Sequence, residues 1–268
     1  MAILFDTSWL QACQLIDGDK FESLNNPKEK ITYLSTDAII ELLKLNSEVC
    51  SERNILITHN SDHAISKEII EGVGKKVFPC HWFAQNVMIK HPKITPLPIG
   101  LERIRWFPHI HKRDILLKNM KLNIKPEKLC LANFSLNTNY TQRKKCLEMC
   151  RSFSTVDTNI SVMFKSYTDF TLSILNHYFV LCPEGNGIDT HRLWETLYLG
   201  RIPVVTHNIT IESFKDLPIL IIPSWDYLTR DILINFLKNF KAGQINYSLD
   251  KLNFQYWNNI IKGKICHL

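Results

Sequence analysis

Two kinds of apolar pattern alternate along this chain. Asn54–Thr58, Tyr178–Leu181, Ile202–Val205 and Ile219–Ile222 are short, mostly β-branched or aliphatic runs. Such runs, bounded by Pro, Gly or polar residues, predict strands buried on both faces. In Thr36–Leu45, Ile65–Glu71, Asp114–Lys121, Thr141–Ser152, Tyr167–Leu175, Arg230–Phe240 and Leu249–Ile261, apolar positions return every three or four residues and predict helices. Further strands are expected at residues 2–5, Lys76–Phe78, Leu129–Phe134 and Ser161–Phe164. A short helical piece is expected at His81–Val87 and an extended, proline-punctuated stretch at Ile94–Ile99. This alternation favours α/β layers around parallel sheets.

The segment from Phe107 to Lys128 is basic, weakly patterned and has Pro108 and Pro126 near its ends. A connection there divides the chain into two Rossmann-like domains, 1–122 and 123–248. A tail, 249–268, is expected to pack back on the first. Two such domains face ligands into the crevice at the carboxyl ends of their strands.

Phe179-Val-Leu-Cys-Pro-Glu-Gly-Asn-Gly-Ile-Asp-Thr-His-Arg-Leu-Trp-Glu195 and the following Thr-Leu-Tyr-Leu-Gly-Arg-Ile-Pro-Val-Val205 read as strand, glycine loop, helix, turn and strand. Asp189 or Thr190 can cap the helix and Gly200 can end it. His191, Arg192 and Glu195 fall on one helical face, with Leu193, Trp194, Leu197 and Tyr198 opposite. Cations and amide hydrogens at a helix start, with a carboxylate one turn deeper, suit a nucleoside diphosphate: phosphates at the N-terminus, ribose on Glu195. The blander alternative for Arg192 and Glu195 is a surface ion pair contributing only ~0.2–0.5 kcal/mol. Gly185 and Gly187 could likewise do no more than turn a strand into a helix.

Composition narrows the classes. Of 268 residues 45% are hydrophobic and 22% charged, enough for a core and too apolar for disorder. The start lacks a basic segment ahead of its apolar residues, and no run is long enough to cross a membrane, so a cytoplasmic protein is expected. The eight cysteines form no Cys-x-x-Cys, which argues against structural zinc and leaves free thiols as the expectation. The net charge of +6 is spread out. It would gather anionic nucleotide sugars or allow peripheral membrane contact, and no basic array points to nucleic acid.

The segments Glu184-Gly-x-Gly, Asp189-Thr-His-Arg-Leu-Trp-Glu195 and Leu-Gly-Arg-Ile-Pro-Val-Val resemble the donor signature of the exostosin-like glycosyltransferases, and more widely that of GT-B nucleotide-sugar transferases. Thr58-His-Asn-Ser-Asp62, Phe83-Ala-Gln-Asn86 and Leu97-Pro-Ile-Gly-Leu-Glu102 are similar to other segments of that family. The resemblance spans most of residues 54 to 230. It implies a GT-B-like fold with a central cleft, and an inverting, metal-independent transfer of sugar from a nucleoside diphosphate, first of all UDP, to a glycan hydroxyl. No resident cofactor is implied. Arg143, Glu184, Gly185, Asn186, Gly187, Asp189, Thr190, His191, Arg192 and Glu195 would then bind the donor. Asn60, Ser61 and Trp82 would meet the acceptor. Asp62 is the first candidate for the base, with His59, Glu102 and His63 behind it, although Ser61 and Asp62 could instead cap the following helix. A transferase of the GDP-fucose type and a non-catalytic nucleotide- or glycan-binding relative are the alternatives.

Overall fold

The computed structural model describes residues 4–104, 111–151, 156–158 and 166–265. The expected strand at Ser161–Phe164 lies outside them. Within them the chain is α/β with two all-parallel sheets, of four and five strands. After a one-turn helix α1 (Gly18–Glu22), the first sheet lays down β1 (Ile31–Leu34), β2 (Ile55–Thr58), β3 (His81–Ala84) and β4 (Ile94–Pro96) side by side in chain order. Helix α2 (Thr36–Lys44), capped by the Ser35 hydroxyl, and helix α3 (Lys67–Gly74) form the crossovers. Crossovers of one hand between strands added in sequence put both helices on one face. Strand alternation follows that division. Leu56, Trp82 and Ala84 pack with Ile39 and Val73 in one cluster, whereas Ile55, Ile57 and Phe83 enter the main core with Phe21.

The second half begins with α4 (Lys112–Met120) and β5 (Lys128–Ala132). It continues through α5 (Tyr140–Arg151), β6 (Val156–Thr158), α6 (Tyr167–Leu175), β7 (His177–Leu181), α7 (His191–Tyr198), β8 (Ile202–Thr206), α8 (Ile209–Glu212), β9 (Leu220–Ile222) and α9 (Arg230–Lys241). Its strand order is β6-β5-β7-β8-β9. The direction of chain progress therefore reverses between β5 and β7, and the loops leaving those strands diverge to open a crevice.

The last helix, α10 (Phe254–Gly263), returns to the first half. The Phe254 ring meets Phe21 at 5.4 Å and its amide donates to the Gln14 carbonyl at 2.8 Å. The first residues in turn reach the second half, where Thr7 donates to the Tyr198 carbonyl and the Ile16 amide to the Tyr198 hydroxyl at 2.9 Å. One hydrophobic core consequently runs through both sheets.

Several expectations need correction. His81–Val87 is no helix: residues 81–84 form β3, and Lys76–Phe78 is not a strand. A short aromatic run carries no readable period. What decides is the vacant slot beside β2, where Ile55 pairs with His81 and Ile57 with Phe83. Leu4 and Phe5 are not in a strand, and the strand that does open the sheet, β1, was not predicted. The tail helix is interrupted, with a 3₁₀ turn at Asp250–Leu252 and a new start capped by Asn253. Cys13, Cys50, Cys130, Cys146, Cys150 and Cys182 are free, but Cys80 is disulfide-bonded, which the cysteine spacing did not indicate.

Gly200, at φ 67°, ends α7 as expected. The next residue, Arg201, is 1% exposed and has no carboxylate partner among the described residues. Its guanidinium donates to the carbonyls of Leu175 (3.0 and 2.6 Å), Gly200 (3.0 Å) and Ile124 (2.8 Å). It thereby satisfies the ends of two helices that no intrahelical bond can reach. Among the described residues no helix is long and apolar enough to cross a membrane.

Candidate functional site

The loops after β5 and β7 meet at Arg143, in the first turn and a half of α5. Its Nε donates to the Glu184 carbonyl at 2.9 Å and its Nη1 to the Ser135 carbonyl at 2.7 Å. A Cβ on Gly185 would come to 3.0 Å from the Arg143 guanidinium, so this glycine lets backbone and arginine approach. Arg192, the second residue of α7, lies near enough to depress the Arg143 pKa, after burial, which is the larger cause. Arg192 itself is lowered chiefly by burial. Its Nε is buried without a partner among the described residues, and its guanidinium sits 5.7 Å from the centre of the Phe170 ring. Neither arginine forms an ion pair among the described residues. The expected alternative of an Arg192–Glu195 surface pair is therefore not what the structure contains. Glu195 instead accepts from the Tyr167 hydroxyl at 2.8 Å, and burial together with Glu195 holds the Tyr167 pKa far above the usual phenol range.

The expected helix start is right in position and different in mechanism. Thr190 is the N-cap in extended conformation, but its side chain makes no capping bond. Asp189 is 2% exposed and fully engaged. It accepts from Thr190 N (2.8 Å), from Trp194 Nε1 (3.0 and 2.9 Å), and from Ile99 N of the first half (2.7 Å). Burial raises its carboxyl to about 6, against the opposing pull of those donors. With both oxygens committed, Asp189 bolts the two halves together and is not free to bind a donor. Gly187 serves the same junction, since a Cβ there would lie 2.8 Å from Asn86 Nδ2. Asn86, at φ 56°, donates to the Ser61 carbonyl at 3.1 Å and accepts from Asp189 N at 3.1 Å. Glu184 accepts from Asn208 at 3.0 Å in a crevice too tight for a water molecule, and burial raises its pKa. It does not open onto a sugar-sized space.

At the carboxyl ends of β1 to β3 lies a cleft of about 660 Å³. Asn60, Ser61, Asp62, Gln85, Glu102 and His191 line it, joined by Gly18 and Asp37 from the first fifty residues. Asp62 is exposed, and its Oδ2 accepts from Asn186 of the glycine loop at 3.2 Å, so the structure does bring these two predicted residues together. Glu102 pairs with Lys112. Asn60 takes φ 60°, with its amide donating to Gln85 Oε1 at 2.9 Å and its side chain to the Gly18 carbonyl at 3.2 Å. A Cβ on Gly18 would fall 1.6 Å from Asn60 Oδ1, so any larger residue there would displace the Asn60 side chain from this position. His63 is exposed and lies 3.4 Å from Asp37.

Two predicted residues are elsewhere. His59 is 1% exposed, its Nε2 donates to the Pro98 carbonyl at 2.9 Å, its Nδ1 lies 3.0 Å from Asn60 Oδ1, and burial depresses its pKa. That is a structural post under the cleft. Trp82 is wholly buried on the α2/α3 face, donating to Thr58 Oγ1 at 2.9 Å, and offers no sugar platform. Conversely, Gln85, Asn86, Arg103 and Tyr167 were given no role from sequence. Arg103 lines the cleft while its guanidinium is held by Asp19 at 2.6 Å and by Glu22. Only for Gln85 and Asn86 was there a signal, their place in the Phe83-Ala-Gln-Asn86 segment. Among the described residues no three His, Cys, Asp or Glu side chains converge as metal ligands.

Comparison with models of known protein families and with characterised proteins finds no match to this chain.

Proposed function

We propose that the chain is a glycosyltransferase of GT-B type, moving a sugar from a nucleoside diphosphate donor, UDP first among the candidates, to a hydroxyl of a glycan acceptor. The carrying observation is the pair Arg143 and Arg192 at the β5/β7 reversal. Two buried guanidinium groups, of which Arg192 lowers the affinity of Arg143 for its proton, with no ion pair to either among the described residues and with the Arg192 Nε unused, are an arrangement that a dianionic ligand relieves. A leaving diphosphate gains charge as its bond to sugar breaks, and fixed cations aimed at that charge favour departure. The acceptor belongs in the 660 Å³ cleft next door, whose amides and carboxylates suit a neutral polyhydroxyl compound. Positioning and charge stabilisation by side chains suffice for such a transfer, and no metal is invoked.

The test is a thermal-shift panel of UDP, GDP, CDP and their common sugars, with and without Mn²⁺. One nucleotide at ~100 times its Kd should stabilise the fold by about 2.7 kcal/mol. That gain should be insensitive to metal and should vanish in Arg143→Met/Arg192→Met. Absence of a shift with every nucleotide, or a shift that survives the double substitution, overturns the proposal. A shift with GDP alone points to the fucose-type alternative, and binding without turnover points to a non-catalytic relative.

A further inference from the structure

Every described residue lining the cleft comes from the first half except one, His191 of α7. It stands beside Arg192 in the chain, so it is the side chain at which an acceptor in the cleft and a donor on the arginine pair would meet. Its Nδ1 lies 2.8 Å from the Gly100 carbonyl. A carbonyl only accepts, so Nδ1 carries the hydrogen, and in the neutral ring Nε2 bears the lone pair. The aim of that carbonyl is itself fixed. Gly100 adopts φ +67°, and a Cβ there would come within 2.4 Å of the Ile16 carbonyl oxygen, so the backbone accepts glycine alone. Among the described residues no hydrogen bond engages Nε2. Of the competing groups, His59 is buried beneath the cleft, Glu102 is paired with Lys112, and the exposed Asp62 accepts one bond from Asn186 through Oδ2.

We propose that His191 is the general base of this site. As the acceptor oxygen bonds to the anomeric carbon, its proton passes to His191 Nε2. The bond from that carbon to the diphosphate oxygen breaks, and its electron pair leaves with the nucleoside diphosphate. The Gly100 carbonyl holds the resulting imidazolium through Nδ1–H. This assignment rests on the glycosyltransferase reading and replaces Asp62 as the base within it.

The experiment compares the full chain with His191→Asn and His191→Gln. It measures affinity for UDP and hydrolysis of UDP-glucose, UDP-galactose and UDP-N-acetylglucosamine, with water as acceptor. The expected result is UDP affinity within about twofold of the parent and hydrolysis reduced ~100-fold or more. Retained hydrolysis, a tenfold loss of UDP affinity at unchanged turnover, or a larger loss of turnover in Asp62→Asn overturns the base role while leaving the transferase reading intact. Failure of the parent to bind any nucleotide overturns both. Should the variants misfold, long-range ¹⁵N–¹H correlation on the parent decides: the Nδ1–H tautomer at pH 7.5 is expected, and an Nε2–H tautomer overturns the assignment.

Discussion

Replacing Arg192 by methionine separates a binding arginine from a structural one by the sign of its effect on stability. Among the described residues the Arg192 guanidinium forms no ion pair or hydrogen bond, its Nε is buried and unused, and Arg143 lies close, while the Glu195 carboxylate attracts it from beyond ion-pair range. At an effective dielectric near 20, neighbouring like charges repel by up to about 4 kcal/mol at contact range. Against this, the face of Phe170 returns ~0.5–1 kcal/mol of cation–π attraction. Methionine keeps most of the apolar contact and removes the charge. The variant should therefore be as stable as the parent or more so, by roughly 0–2 kcal/mol, as expected where a site carries strain for function. The stabilisation by UDP should be lost in the same protein. Urea unfolding of parent and variant, each with and without UDP, reads both quantities. A loss above about 2 kcal/mol in the ligand-free variant, or an undiminished effect of UDP, would refute the reasoning.

Arg201 should behave in the opposite way. Arg201→Met strips four bonds from the buried carbonyls of Leu175, Gly200 and Ile124 and should cost about 3–5 kcal/mol in urea unfolding; a cost under 1 kcal/mol would show those carbonyls to be satisfied otherwise. Asp189 should leave a signature in pH. Its folded carboxyl titrates near 6 and its unfolded one near 3.8. The folded state therefore binds the proton more tightly, and this contribution is present in full below 3.8 and lost as pH rises through 6. Relative to Asp189→Asn, the parent should lose about 3 kcal/mol between pH 3.5 and 7, and parallel pH–stability curves would show that the site is not the source. Gly187→Ala, which drives a methyl group against Asn86, should destabilise by about 1–3 kcal/mol through the junction of the halves; an unchanged Tm would mean that Asn86 gives way.

Much of the second half was readable because β7, β8 and β9 are runs of aliphatic residues flanked by glycine and proline, and because helix α7 carries its packing side at regular spacing; β6, the short Val-Asp-Thr at 156–158, was not predicted. Tyr178–Leu181 and Ile202–Val205 lie within the observed strands to a residue at either end. The first half was less readable. β1 reads Ile-Thr-Tyr-Leu and β3 reads His-Trp-Phe-Ala, and in both the strand is settled by hydrogen bonding to β2, a contact more than twenty residues away in sequence. At the site, sequence identified which residues gather and not what each touches. The line Asp189-Thr-His-Arg does sit at a helix start, but one acid is consumed as an inter-half bolt while the arginine forms no ion pair among the described residues and keeps a buried Nε unused. A motif carries no information about whether a buried carboxylate finds its N–H donors within its own loop or from Ile99, ninety residues upstream.

The return of α10 has a consequence for how the chain is made. The face of the first sheet that carries Ile55, Ile57 and Phe83 shares its core with residues 254 to 261, and Phe21 meets Phe254 edge to face. During synthesis at ~5–20 residues per second, that face waits on the order of ten to forty seconds after β3 emerges before its last covering element exists. Throughout that interval an apolar sheet face is open to a ribosome-associated chaperone or to a second nascent chain. Native assembly is also dominated by contacts remote in sequence, which slows folding for reasons of loop closure. Loss of the final fifteen residues should accordingly show itself first as aggregation during expression and only afterwards as lost stability.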